Sequence, residues 1–378
     1  MNKVTTLTAA LLCCAAMQAQ GLKDALGDKF MIGAALNTRI SNGWDKQADS
    51  VVTLHFNQAV AENCMKMEEL QPKEGLWNWT PADRFIAFCQ KRGITATGHV
   101  LCWHSQSPKW MYEDDIAGPT CRDTLLLRLK THIQTVARHF RGKVKGWDVV
   151  NEAIMEDGSL RQNDFCRIIG EDYIKRAFQW AHEADPDAEL YYNDFSMWGE
   201  AKRNRVVQLV RELKAAGLRI DGVGMQSHIG IDYPEFDEYE KSIRLFAAEG
   251  VKVHITELDM NILPWAEGAS RGANIDNHFD YHPKYNPYIN GLPDSVACRI
   301  SERWDSLFTI YKRNADVIDR VTLWGVNDRY SWLNNWPVQG RTNYPLLFNR
   351  DWSPRPIVDW LINGRPQPKT KKSKRRKR

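Results

Sequence analysis

From about Phe30 to Leu361, short β-branched runs alternate with longer amphipathic stretches, and this alternation does most to narrow the folds open to the chain. The strand candidates are Met31–Leu36, Asn63–Met67, Thr95–Cys102, Val144–Val150, Glu189–Asn193, Gly222–His228, Lys252–Thr256 and Val321–Val326. Helical spacing marks Thr80–Lys91, Arg122–Phe140, Glu171–Glu183, Lys202–Ala216 and Glu235–Glu249 between them. Gly93, Gly217 and Gly250 fall just past three of these helices, where a C-terminal cap is expected. Strands that alternate with helices pair in parallel, and eight of them match an α/β fold closed as a single (β/α)8 TIM barrel. No Gly-rich phosphate loop points to a dinucleotide-binding sheet, and no linker separates a second domain.

In such a barrel the ends of the strands carry the chemistry. Trp147-Asp148-Val149-Val150-Asn151-Glu152-Ala153 reads as a buried strand that abruptly delivers an amide and a carboxylate. A second run, Val251 to Asp259, ends in Glu257 in the same way. Either glutamate alone reads more readily as a capping or salt-bridged residue. Together, two strand-end carboxylates far apart in sequence are what cleavage of a glycosidic bond requires: a proton donor and a nucleophile or base.

The third strand runs into Gly98-His99-Val100-Leu101-Cys102-Trp103-His104-Ser105-Gln106, with Trp110 close behind. Imidazoles, an amide and indoles at one strand end suit a ligand with hydroxyls to bond and C–H faces to stack on, as sugars have. The chain holds 15 tryptophans, and Trp324, Trp332 and Trp336 cluster at and after the eighth strand. Some must be core; stacking platforms are the sharper alternative. Residues 261–297 break the rhythm with Gly, Pro and aromatics, including Trp265, Phe279, Tyr281, Tyr285 and Tyr288. Following the Glu257 strand, this stretch would lie on the catalytic face, as a substrate-contacting loop or a structural excursion.

Charge excludes little. The formal +4 comes from the tail: eight of the last ten residues are basic, and without them 43 basic residues face 47 acidic ones, a net of −4. The body is mildly acidic and gives no reason to expect a nucleic-acid partner. Residues 1–20 read as a signal peptide, with Lys3 ahead of an apolar run from Leu7 to Met17 too short to span a bilayer. Acylation at Cys13 or Cys14 is the weaker reading, because Leu12 stands where a small residue belongs. The expected organisation is therefore a leader (1–20), a catalytic barrel (21–366, with a long loop at 262–297) and a solvated basic tail (367–378). The expected location is outside the cytoplasm. Six cysteines remain after the leader, with no metal-binding spacing, and are read as unpaired thiols.

These residues resemble the retaining β-1,4-xylanases of glycoside hydrolase family 10. Glu62-Asn63-Cys64-Met65-Lys66, Gly98–Gln106, Trp147–Ala153, Gly224-Met225-Gln226-Ser227-His228, Ile255–Asp259 and Leu323–Trp332 occur in the family's order and spacing, across nearly the whole mature chain. The resemblance implies that Glu152 is the acid/base, its proton affinity raised by a neighbouring carboxylate, and that Glu257 is the nucleophile. It implies that Asn151 bonds the sugar 2-hydroxyl, and that His228 bridges Glu257 and Asp259 with Gln226 in the same network. His99, Trp103 and Lys66 would meet the −1 sugar under Trp324 and Trp332. Glu62, Asn63, Lys66 and Gln106 would hold the next sugar out, and Tyr192 and Asn193 would fall on the leaving-group side. No metal or cofactor is implied. The partners are xylan and xylo-oligosaccharides, and the chain is expected to act as a monomer. Departures from the family pattern, Cys64, Met67, Val60-Ala61 and the long loop after Asp259, concern sugar binding rather than bond cleavage. A β-glucanase on the same barrel and a catalytically dead carbohydrate-binding protein are the competing readings; the presence of both glutamates weighs against the second.

Overall fold

The computed structural model describes residues 20–114, 118–269, 273–275 and 277–366. The leader and the basic tail proposed from sequence lie outside these residues, apart from Gln20 at the leader's end and residues up to 366 ahead of the tail. Eight strands form the barrel: β1 (Met31–Leu36), β2 (Gln58–Ala61), β3 (Thr95–Trp103), β4 (Gly146–Asn151), β5 (Glu189–Asp194), β6 (Gly222–Met225), β7 (Lys252–Asn261) and β8 (Ile318–Leu323). Each pairs in parallel with the next. β8 then returns to β1, with Met31 opposite Arg320 and Ala34 opposite Leu323, and the ring closes.

Burial on both faces explains the composition of the strands. Outward side chains meet helices whose buried positions recur every three or four residues: Ala82, Phe85, Ile86 and Cys89 on Thr80–Lys91, and Ile174, Ala177, Phe178 and Ala181 on Tyr173–Ala184. Inside, Gln58 donates to Thr97 Oγ1 at 3.0 Å and accepts from Thr322 Oγ1 at 2.8 Å, so a polar layer is satisfied across three strands. Gly33 makes room for it, since a Cβ there would lie 1.8 Å from Gln58 Oε1. The cap glycines Gly93, Gly217 and Gly250 have φ of +63°, +71° and +69°.

Several boundaries differ from the sequence reading, most of all at the second, sixth, seventh and eighth strands and in the stretch after the seventh. The second strand is Gln58–Ala61, and Asn63–Met67 instead forms a turn leading into the helix Met67–Leu70. Alanine has weak strand propensity, so Gln-Ala-Val-Ala gives little local signal; pairing on both sides at fully buried positions overrides it. The sixth strand stops at Met225 and resumes as His228–Gly230, which pairs with Asp259–Asn261 of a β7 longer than expected. β8 begins and ends earlier, leaving Trp324 to Val326 beyond the sheet. The long irregular stretch is 262–293, because the helix Asp294–Arg313 absorbs its end. Its described part has a small core of its own, Ala266 and Tyr285 against Val338, with Phe279 packed alongside.

The pairing of β4 with β5 is irregular between Asp148 and Val150, and that of β7 with β8 between Ile255 and Leu258. Such irregularities re-aim side chains. Here they fall at the two places where the strands turn polar. Of the six cysteines in the described residues, Cys64, Cys89, Cys102 and Cys166 are buried and Cys121 and Cys298 exposed, all as free thiols.

Candidate active site

At the C-terminal rim the strand ends converge on a cavity of about 160 Å³. Glu62, Asn63, Lys66, His99, Trp103, Gln106, Asn151, Glu152, Gln226, His228, Glu257, Trp324 and Trp332 line it, joined by Ala273 and Ile275 from the stretch after β7. Thirteen residues singled out in the sequence thus meet around one space. The two strand-end carboxylates share one rim.

Glu152 follows β4 in a left-handed backbone conformation, φ +58°. Its Oε2 accepts from Trp103 Nε1 at 2.9 Å, and its Oε1 from Gln226 Nε2 at 2.9 Å and Asn151 Nδ2 at 3.1 Å. Burial pushes its pKa up, Asp194 adds like-charge repulsion, and the donors oppose both; the result is about 7. Glu257 contributes a smaller repulsion of the same sign. This corrects the expectation that a carboxylate neighbour is the main cause: removal from water comes first, and the leading charge is Asp194.

Glu257 is buried too, yet goes the other way. Burial would raise its pKa, but a hydrogen bond from His228, the charges of His99 and His228, and the Asn193 amide hold it below the usual range. Asn193 Nδ2 donates to Glu257 Oε1 at 2.8 Å, and His228 Nε2 lies 3.3 Å from Oε2. The other imidazole nitrogen meets Asp259 Oδ1 at 2.9 Å. Burial disfavours the imidazolium, but Asp259 and Glu257 outweigh it and lift His228 to about 10. The charged ring therefore donates from both nitrogens. Asp259, fully buried behind the ring, also accepts from Trp332 Nε1 at 2.7 Å.

On the far wall Lys66 donates to Gln106 Oε1 at 2.6 Å and Asn63 Oδ1 at 2.8 Å, with its Nζ 5.0 Å from the Trp103 ring. His99 Nδ1 meets Asp148 Oδ2 at 2.9 Å, leaving Nε2 as its remaining polar atom. Trp332 stacks on Trp336 at 4.6 Å and 22°. A carboxyl that keeps its proton and one that stays ionised, both on a cavity walled with indoles and hydrogen-bonding groups, can divide proton donation and nucleophilic attack on a sugar.

Glycosyl hydrolase family 10 matches residues 21–364. The chain belongs to this family. It is similar to endo-1,4-beta-xylanase A of Xylanibacter ruminicola, at 49% identity over 90% of this chain and 92% of that protein. It is also similar to the endo-1,4-beta-xylanase of Geobacillus stearothermophilus, at 38% identity over 90% and 98%. A family 10 endoxylanase from a sugarcane soil metagenome superposes with a TM-score of 0.87 at 41% identity, covering 90% of this chain and 99% of that one.

Within this family 10 barrel, two residues expected on the leaving-group side lie elsewhere. Tyr192 and Asn193 are fully buried, so no sugar reaches them. Asn193 links the acid sites from beneath, donating to Asn151 Oδ1 at 2.9 Å as well as to Glu257, while its own oxygen accepts from Thr256 Oγ1. The Tyr192 hydroxyl accepts from Ala153 N and donates to Asp194. From the dense segment after β3, His104 and Trp110 do not line the cavity; Trp110 donates to Gln71 O instead. Sequence reasoning missed Asp148 and Asp194, both strand residues beside motif positions, and the adjacency was a usable signal. Lys202, Ala273 and Ile275 carried none: a lysine in a helix and apolar residues in an irregular stretch look ordinary.

Among the described residues, one cluster away from the cavity has metal-ligand chemistry. Glu189, His254 and Asp319 bring ligand-type atoms within 4.8 Å of one another near the strands' N-terminal ends. Their partners are internal: His254 Nδ1 bonds Asp319, Lys145 Nζ lies 2.9 Å from Asp319, and the Tyr191 hydroxyl donates to Glu189 at 2.6 Å. It reads as a paired charge network.

Proposed function

We propose that the chain hydrolyses internal β-1,4-xylosidic bonds of xylan and xylo-oligosaccharides by a retaining double displacement. Glu152 protonates the glycosidic oxygen and later activates water; Glu257 attacks the anomeric carbon. One observation carries this reading: the two carboxyl groups, in one cavity, are held in opposite protonation states, Glu152 near 7 and Glu257 below its usual range. The family relatives named above are xylanases, and a related Thermoanaerobacterium saccharolyticum enzyme has been seen in complexes with xylotriose and xylotetraose. His228, kept charged by Asp259, orients the nucleophile, and Gln226 and Asn151 hold the acid. Trp324 and Trp332 offer faces to the −1 sugar, while Asn63, Lys66 and Gln106 bind the next one.

The deciding experiment follows the anomeric configuration of newly formed reducing ends by NMR during xylan hydrolysis. β-Xylose ends should appear first and mutarotate later; α ends first would overturn the retaining assignment. The leader-like residues 1–20 support export of the enzyme, tested by N-terminal sequencing of protein recovered outside the cytoplasm. We propose that it acts as a monomer, and light scattering showing a stable dimer would refute that.

A further inference from the structure

Glu152 occupies a backbone region that L side chains seldom adopt. Such a conformation persists only when its surroundings over-determine it, and every backbone group around it is tied down. Glu152 N donates to Asn193 O at 2.9 Å, and Glu152 O accepts from Arg161 Nε at 2.8 Å. The next two amides are claimed by the end of β5: Ala153 N donates to Tyr192 Oη at 3.1 Å, and Ile154 N to Asp194 Oδ2 at 3.4 Å. Tyr192 and Asp194 are themselves joined, hydroxyl to carboxylate, at 2.5 Å. Behind them Lys202 Nζ sits 2.7 Å from Asp194 Oδ1 and 4.0 Å over the Phe195 ring. Tyr192, Asp194 and Lys202 have no measurable exposure, so they act on the substrate through the groups they hold, the Glu152 loop above all.

We infer that Tyr192, Asp194 and Lys202 are positioning residues, a buried charged clamp that fixes the backbone of Glu152 and sets a second carboxyl group behind its own. The inference rests on the reading of Glu152 as proton donor. Burial alone is indifferent to which carboxylate stands nearby; the clamp places an anion behind this one. After burial, Asp194 does most to raise the pKa of Glu152. Burial raises the pKa of Asp194 itself, and Lys202 does most to oppose that rise. The other charged or titratable groups around the pair are Glu257 and Lys66 across the cavity, Arg161 beside the loop, and His104, which burial pushes down to about 3 and leaves neutral. Glu257 acts in the same direction as Asp194 with less weight, and Arg161 pulls Asp194 down.

The test is the pH dependence of kcat/KM on a xylo-oligosaccharide, whose leaving group needs a proton, set beside an aryl β-xylobioside, whose leaving group does not. Asp194→Asn should move the alkaline limb to lower pH by roughly one unit, as loss of a close like charge does. Since breaking a buried pair can prevent folding, the double variant Asp194→Asn/Lys202→Met removes both charges and should move the limb the same way. Tyr192→Phe, which loses the hydroxyl that pins Ala153 and donates to Asp194, should lower kcat/KM on the oligosaccharide about tenfold and spare kcat/KM on the aryl substrate. A folded double variant with the parent's limb, or one moved to higher pH, overturns the electrostatic half. Tyr192→Phe with parental kcat/KM on both substrates overturns the positioning half. Glu152→Ala separates the two levels: if it lowers kcat/KM, which reports the bond-breaking step, equally on both substrates, the proton-donor reading fails, whatever the clamp variants do.

Discussion

The two ends of the barrel hold nearly the same side chains and put them to different use. At the C-terminal rim His228 lies between Glu257 and Asp259, and at the other end His254 lies against Asp319 with Glu189 near. Both histidines are buried. His228 has two carboxylates against it and is lifted to about 10. His254 is pushed down, by burial first and then by Arg320, despite the pull of Asp319. At the lower end Lys145 and Arg320 set positive charge against Asp319. At the rim the charge is unbalanced and opens onto a cavity. Residue type does not make a catalytic site; the neighbours that finish or fail to finish the pairing do.

That contrast can be broken in order of effect. Glu257→Ala should reduce kcat on xylo-oligosaccharides by on the order of 10⁴-fold or more with the fold intact, as nucleophile removal does elsewhere; steady-state kinetics with circular dichroism checks it, and a loss below tenfold would remove Glu257 from its role. His228→Asn takes away the cation that keeps Glu257 ionised and should cost about 10²–10³-fold in kcat, the scale of a lost preorganised donor, with the acidic limb of kcat moving to higher pH. At the lower end Asp319→Asn should leave kcat per folded molecule unchanged and lower stability by about 2–3 kcal/mol, the scale of a hydrogen bond to a charged group, read by denaturant titration. Its folded pKa is depressed, so this contribution is present above the unfolded carboxylate range and fades as pH falls through it. The mildest effect needs no mutation: kcat/KM should fall above the pKa of Glu152, about 7, with pH 8 giving about a tenth of the plateau. A plateau reaching pH 9 would contradict that protonation state.

Linkage distinguishes the ends again. The folded pKa of His228 is above its unfolded value, so its stabilising contribution is whole below about 6.5 and lost as pH rises toward about 10. His254 is depressed and contributes in the opposite sense, costing stability as acid forces it to charge.

Most of the rim was readable because each strand end breaks its own pattern: Asn151-Glu152 after Val149-Val150, and Glu257 after His254-Ile255-Thr256. What could not be read depends on partners distant in the chain. The second strand is Ala-rich and is defined by pairing with β1 and β3 rather than by its own propensity. Tyr192 and Asn193 carry polar tips that suit a sugar equally well; only the three-dimensional path of β5 turns them beneath Glu152 and Glu257. The source of the raised pKa at Glu152 was misplaced for the same reason, since the separation of Asp194 from Glu152 in space has no trace in a spacing of 42 positions.

The ring is sealed by its last strand, and the indole that bonds Asp259 comes later still. A chain emerging from the ribosome therefore carries both acids long before it carries the seam or the aromatic roof. A chain cut before Trp332 should therefore show no xylan hydrolysis although it carries both acids, which an activity assay on that truncation would check.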